Sequence, residues 1–342
     1  MLENSSRVGN IVVISASIVI VLAGIKMAAS IVVPFLLALF LAIILTPLFL
    51  WLKRIGLGEL FSLLTIIFLL VVIISSLVTV VGNSIQDFTQ NIPFYEEKLR
   101  GDLGDLLEQL NSFGLHIPKA DIISMFQTDS IMRYIASTLK SLGSLLTNSF
   151  MIILTVTFML MELSQFSNKL QRANKNSFRQ FIQVSNKIKY YMLLKALISV
   201  ATGVVVTLML ELIGVHYSVL WGLVAFLLNF IPNIGSIIAA VPAVLMAMVQ
   251  FNFGIAFLIA LGYITINIVI GSIIEPKVLG KGLGLSPLVI FLSLIFWGWL
   301  LGSIGMLLSI PLTIMIKITL DSQPNTRWIS IMLGTGKETK LK

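Results

Sequence analysis

Between Ile11 and Trp51 the chain carries a single charged residue, Lys26. About 40 helical residues at roughly 1.5 Å each would reach about 60 Å, twice the roughly 30 Å hydrocarbon layer of a bilayer. Such a run must fold back, and a turn near Ala28-Ala29-Ser30 divides it into two spans, with the Lys26 ammonium reaching the interface along its own stem. Apolar runs recur at 60–81 and 142–161, and then at about 193–213, 217–231, 234–250, 254–274, 288–301 and 303–320. Lipid gives a bare backbone no hydrogen-bond partner, so spans of this length read as helices. The expected fold is therefore all-α. It is a polytopic integral membrane protein with about eight transmembrane helices, plus re-entrant or broken helices and a small helical extracytoplasmic insert.

Composition agrees with lipid as the solvent. The 342 residues are 57% hydrophobic and 11% charged, where a soluble domain carries about 25% charged residues. The net charge of +8 does not point to nucleic acid, because the basic residues gather in short segments between apolar runs, where Lys and Arg hold a membrane protein's loops on the cytoplasmic side. Membrane lipid is the expected partner of these residues. Arg7, the apolar run behind it and Ala28-Ala29-Ser30 resemble a signal peptide in outline, but Lys26 interrupts the approach to a cleavage site and a second span follows.

Charge also divides the chain. Residues 1–82 form N-terminal transmembrane helices, with Lys53 and Arg54 marking a cytoplasmic return. Residues 83–141 form a soluble insert with eight acidic and five basic residues, which belongs outside. Within it Leu99, Leu103, Leu106 and Leu110 share a helical face. A second arm is expected to begin near Asp129-Ser130 and to bury Ile131, Tyr134, Ile135 and Leu139. A span at 142–161 leads to 162–192, a basic cytoplasmic amphipathic segment; over 162–195 Glu162 stands alone against seven Lys and Arg. The apolar face of Phe178, Phe181, Ile182 and Ile188 suits either a helix on the inner leaflet or a solvated connector. Residues 193–320 form the C-terminal transport core and 321–342 a basic cytoplasmic tail. Both termini are expected in the cytoplasm, which requires 288–320 to enter and return as a hairpin around residues 297–302.

The last third is the most apolar part of the chain and the part most interrupted by Gly, Pro and Asn. Broken helices persist at membrane depth only where protein surrounds them or a wet cavity meets them. In the run Asn229-Phe230-Ile231-Pro232-Asn233-Ile234-Gly235-Ser236, Pro232 removes a backbone donor and disfavours helix at Ile231, and Gly235 loosens the next turn. Asn229, Asn233 and Ser236 then sit beside freed backbone groups and could hold a solute, although a tight turn between ordinary helices would use the same residues. Glu275, followed by Pro276, ends an apolar run. It suits either a titrating cation or proton site or an interfacial ion pair with Lys277 or Lys281. Asn267 is the polar residue deepest in its run, and Gly284 and Ser286 follow in the next break. These ten residues (Asn229, Pro232, Asn233, Gly235, Ser236, Asn267, Glu275, Pro276, Gly284, Ser286) form the expected substrate pathway. Gly298 and Gly302 have the four-residue spacing that lets helix backbones approach, with packing the default role and a hinge the alternative.

Other chemistries lack their residues. Lys281 is followed by Gly282, so the glycine-rich segment matches neither a Walker nor a dinucleotide pattern. His116 and His216 stand apart from carboxylate clusters, and Cys is absent. No enzyme activity, metal or cofactor is expected.

The run 229–236, the Glu275-Pro276 pair with 282–286, the stretch 289–302 followed by 305–313, and more locally Pro34-Phe35 and 91–95 resemble the autoinducer-2 exporter family over nearly the whole chain. The resemblance implies a bacterial inner-membrane permease that exports a small polyhydroxylated furanone signal and works as a homo-oligomer. Some relatives are sodium or lithium/proton antiporters, so a monovalent cation stays open as cargo. A non-transporting scaffold that recruits partners through its insert is a third alternative.

Overall fold

The computed structural model describes residues 2–112, 133–137, 149–173, 175–232, 234–279 and 284–334. Among them every regular element is helical. In chain order these are α1 (Leu2–Met27), α2 (Ala29–Arg54), α3 (Glu59–Ser112), α4 (Ser149–Ala173), α5 (Lys175–Ile213), α6 (Ser218–Leu228), α7 (Gly235–Gln250), α8 (Phe253–Ile266), a π-helical stretch (Asn267–Ile274), α9 (Glu275–Leu279), α10 (Pro287–Leu307), α11 (Ser309–Asp321) and α12 (Arg327–Met332). Among the described residues, five segments are by length and composition long and apolar enough to cross a membrane: Ala29–Arg54, Glu59–Tyr95, Phe181–Ile213, Phe253–Val278 and Pro287–Leu307. Shorter apolar helices accompany them, so the protein is an all-α, multi-pass membrane protein.

Many hydroxyls of these helices are satisfied within their own helix. Thr46, Thr65, Thr155, Thr202 and Thr265 each donate to the carbonyl four residues earlier, which removes a donor that hydrocarbon would leave bare. The chain also runs helical further than its composition suggests. α3 continues through Gly82-Asn83 to Ser112, and α5 carries the basic stretch from Lys175 straight into a membrane-length segment. A change from apolar to polar side chains marks where the solvent changes, whereas the backbone hydrogen bonds continue in either solvent. Of the expected second arm of the insert, residues 133–137 are helical with Ile135 buried and Tyr134 exposed. Asp129, Ser130, Ile131 and Leu139 lie outside the described residues.

Two compact units emerge. The first comprises Met1–Glu59, Met151–Lys189 and Gly284–Lys342. Here α1 turns into α2 at Ala28, and both pack on α10. Lys26 Nζ lies 4.1 Å from the centre of the Trp299 ring, a cation–π contact on an interface-type side chain. α10 leaves helical geometry at Gly302, where φ is 71°. Trp297 Nε1 then donates to Thr313 Oγ1 at 3.1 Å, although 16 residues of straight helix would separate them by about 24 Å. The chain therefore doubles back at Gly302, as the hairpin expectation requires. Gly302 is the turn and Gly298 the packing residue, since a Cβ at Gly298 would lie 2.8 Å from Met306 Cε. Lys317, near the end of the expected 193–320 core, is buried in α11 and donates to the carbonyl of Gly284.

The second unit comprises Leu60–Phe150 and Tyr190–Leu283. Its core gathers Trp221, Leu220 and Val224 of α6 with Ala239, Ala243 and Ala247 of α7. The three alanines recur every fourth residue and are fully buried. They give α7 a flat face on which neighbours pack by dispersion, the attraction that remains when lipid is as apolar as the side chains. α5 and α6 approach equally closely: a Cβ at Gly222 would overlap the Thr207 hydroxyl and lie 2.7 Å from the Gly203 carbonyl.

At one end of this unit a polar latch ties α3 to the turn before α6 and the end of α7. Tyr95 hydroxyl and His216 Nδ1 are 2.9 Å apart, His216 N donates to Gln250 Oε1 at 2.7 Å, and Gln250 Nε2 donates to Gly214 O at 2.8 Å. Lys98 donates to the Gln250 carbonyl, and Trp221 Nε1 to the His216 carbonyl at 3.1 Å. Partial burial, and then the charge of Lys98, hold the His216 pKa below its ordinary value.

Two outcomes follow from these contacts. Gly222→Ala should destabilise the purified protein by about 1–3 kcal/mol, the usual cost of overpacking, seen as a lower thermal midpoint. Because the folded state disfavours the His216 proton, the latch contributes fully above about pH 6.5, the ordinary histidine value. Its contribution should fall as the pH drops from there through the lower folded pKa, so thermal midpoints at pH 7.5 and 5.5 should differ more for the native chain than for His216→Gln.

Candidate functional site

Lys195, Ser199, Thr202 and Val206 follow one another at intervals of four, three and four on α5, so they share a face. All four are buried. A stripe carrying an ammonium and two hydroxyls inside a membrane-length helix requires partners from other elements. The turn between α6 and α7 supplies one: the Asn229 amide, 5% exposed, donates to Ser199 Oγ at 2.9 Å. α9 supplies the other, with Lys195 Nζ 2.5 Å from Glu275 Oε1 and side-chain exposures of 3% and 18%.

The turn itself arises as the sequence dictates. α6 has 11 residues and α7 has 16, or about 16 and 24 Å, both short of a crossing. They fold back closely enough that a Cβ at Gly235 would overlap the Leu228 carbonyl. Ile234 N donates to the Pro232 carbonyl at 2.6 Å, and Ser236 stands in the first turn of α7. Asn233 lies outside the described residues.

On the facing side, α8 widens into the π-helical stretch that begins at Asn267 and ends at Ile274, just before Glu275-Pro276. Pro276 has no N–H to continue the regular ladder, and π-helical turns gather where such a ladder is interrupted. Gly271 gives the Asn267 side chain room, because a Cβ there would lie 2.9 Å from Asn267 Oδ1. Thr202, Asn229, Ser236, Tyr263, Asn267 and Gly271 all line one small void of about 10 Å³, enough for roughly a single water. The elements can thus present amides, hydroxyls and a phenol to a polar guest, with an ion pair nearby on the same α5 face.

Some expected pathway residues therefore converge and others do not. Asn229, Ser236 and Asn267 meet at the void, with Gly235 forming the turn that positions Ser236. Glu275 pairs with Lys195 of α5, a partner that its own segment does not supply. Lys277 is exposed, and Lys281 lies outside the described residues. Pro276 is exposed in α9. Gly284 and Ser286 belong to the first unit. There Gly284 has φ of 62° and accepts from Lys317, while Ser286 caps α10 by accepting from Val289 N at 3.2 Å.

Sequence reasoning missed Lys195, Ser199, Thr202 and Tyr263. The first three carry a signal in their helical spacing, hidden because Lys195 follows a basic stretch and reads as its last member. Tyr263, in an apolar run, carries none.

Comparison with known proteins accords with this architecture. Residues 16–325 match the AI-2E family transporter model. A Haemophilus influenzae protein carrying a provisional transport-protein name is 40% identical over 334 residues, covering 95% of this chain and 96% of its own. The Escherichia coli AI-2 transport protein TqsA is 37% identical over 327 residues and 95% of both chains. A sodium-lithium/proton antiporter of Halobacillus andaensis is 25% identical over 321 residues, covering 86% of this chain and 90% of its own. With the family matched from near one end to near the other, on a chain of membrane-length helices, this protein belongs to the AI-2E family of transporters.

Proposed function

We propose that this protein exports a small polar signal molecule of the autoinducer-2 type across a bacterial inner membrane, passing it by the void where Asn229, Ser236 and Asn267 meet. The observation that carries this reading is the convergence of two helix interruptions, the 229–235 turn and the π-helical stretch, on one void that Asn229, Ser236 and Asn267 line among apolar side chains. A polyhydroxylated solute leaving water needs replacement hydrogen bonds. Amide and hydroxyl groups on interrupted helices supply them without a fixed charge. Asn233 and Pro232 complete the turn in this proposal, and Pro276, Gly284 and Ser286 shape the second break. The name of the TqsA relative supports this cargo. The basic stretch over 162–195 and the basic tail support cytoplasmic termini, and the family resemblance supports a homo-oligomer.

One observation favours a second cargo. The Lys195–Glu275 pair joins a buried ammonium to a partly buried carboxylate, and intramembrane ion pairs recur in proton and cation pathways. The Halobacillus andaensis relative is named for sodium-lithium/proton antiport. In this mechanism a cation or proton would compete for the Glu275 carboxylate while Lys195 holds the empty state neutral overall.

Flux through purified protein in proteoliposomes separates the two. Asn229→Ala removes the amide and leaves Ser199 without it. It should lower efflux of labelled signal roughly 5- to 150-fold, the rate equivalent of about 1–3 kcal/mol for an unmade buried hydrogen bond. Undiminished efflux would exclude this amide from the route. Lys195→Met and Glu275→Leu should each destabilise the fold by about 3–5 kcal/mol by leaving a buried charge alone, while the double variant recovers most of the loss. Sodium/proton exchange that survives in the folded double variant removes the carboxylate mechanism, whereas its selective loss with signal efflux intact assigns exchange to the pair.

A further inference from the structure

A groove of about 310 Å³ runs between α7 and α8, walled by Val241, Val244, Leu245 and Ala260. That volume is at the low end of the roughly 300–1,000 Å³ typical of small-molecule sites. The rims, Ile237 and Ile264, are 62% and 55% exposed, so the groove opens outward through hydrocarbon. Its polar lining residues are Ser236, Tyr263 and Asn267, and no charged side chain lines it among the described residues. These three share one end. α7 and α8 are joined by the short turn at Phe251-Asn252, so Ser236 and Asn267, each about 15 residues from that turn, lie at the same level of an antiparallel pair. They also line the one-water void, so groove and void meet there.

Tyr263 is the residue that points to a ligand. Its side chain is 5% exposed, yet its hydroxyl has no hydrogen-bond partner among the described residues. A buried hydroxyl is ordinarily paired, and an unpaired one calls for an explanation. Asn229, by contrast, has Ser199. The groove thus combines an apolar trough open to the bilayer, one end with hydrogen-bonding groups of both senses, and no counter-charge.

We propose that this groove binds an uncharged amphiphile, a small molecule with a hydrocarbon body and a single hydroxyl or carbonyl head, which enters from the bilayer and sets its head against Tyr263, Ser236 and Asn267. A polyol would leave hydroxyls bare along the apolar walls, and a cation would meet no compensating charge. The inference rests on the transport reading, since it gives the void a second, lateral approach, taken by a ligand distinct from the polar cargo. Its test reads binding rather than flux, so the two readings fail separately.

The probe is a diazirine-bearing octanol, photolysed with the full-length purified protein in phosphatidylcholine vesicles, with adducts mapped by mass spectrometry. Adducts should concentrate on residues 237–245 and 260–264. Excess 1-octanol should displace them at least tenfold better than octane or erythritol does. Tyr263→Phe should reduce groove labelling at least fivefold at unchanged thermal midpoint, and Ala240→Phe, which fills the trough, should abolish it. If Ala240→Phe does not fold, Tyr263→Phe and the octane control still decide. Labelling spread evenly over the exposed faces of α2 and α10 means hydrocarbon partition only and overturns the proposal. So does equal competition by octane, or an absence of groove adducts because lipid chains or a second copy fill the trough. Groove labelling that persists while Asn229→Ala leaves efflux untouched removes the transport route and keeps the binding site. Dispersed labelling with Asn229-dependent efflux does the reverse.

Discussion

Every helix interruption in this protein answers to one constraint: within hydrocarbon, a peptide N–H or C=O without a partner costs several kcal/mol, and water is absent to supply one. Most of the chain meets it by continuous helix, with threonine hydroxyls folded back on the preceding turn. Beside the site, the second unit departs from this pattern at the turn from α6 to α7 and at the π-helical stretch. Each departure is packed against protein: the turn against α5 through Asn229 and Ser199, the π-helical stretch beside a void that α5 and α7 also line. The location of candidate chemistry follows from this packing, because loosened backbone and unspent polar side chains are tolerable in the same few places.

The Lys195–Glu275 pair extends the same logic to charge. Either group alone in an apolar interior would be driven towards its neutral form, and 80 residues of chain separate them. Their meeting therefore constrains how α5 and α9 face one another more strongly than any apolar contact, because a small rotation of either helix would strand both charges. Such a pair contributes little to net stability compared with well-packed apolar side chains. It does define one arrangement against near alternatives, which suits a unit built around a polar void.

The fold class was readable from residue 11 onward, since a 40-residue run with one charge leaves lipid and helix as the only consistent solvent and structure. The Gly302 reversal was readable too, through the basic tail that a straight helix would leave on the other side of the membrane. Helix ends were poorly legible. The expected boundaries at Gly82-Asn83 and 192/193 are changes of composition, and α3 and α5 run through them. Of the site, the local features were visible: Pro232 beside two amides, and Glu275 at the end of an apolar run. The non-local ones were not. Nothing along the chain relates Lys195 to Glu275, and the π-helical stretch, written Asn267 to Ile274 in ordinary apolar residues, has no compositional mark. Tyr263 becomes conspicuous only when its surroundings are known to offer its hydroxyl nothing.

The π-helical stretch also bears on how this chain can vary. Each residue of a regular helix advances the side chains by about 100°, and the wider turns between Asn267 and Ile274 delay that advance before Glu275 is reached. The azimuth at which Glu275 meets Lys195 therefore depends on the number of residues in the stretch as well as on their identity. A lineage that deleted one of them would tighten the coil to ordinary pitch and swing the carboxylate toward the hydrocarbon. The number of residues here sets the geometry of the pair as directly as their side chains do.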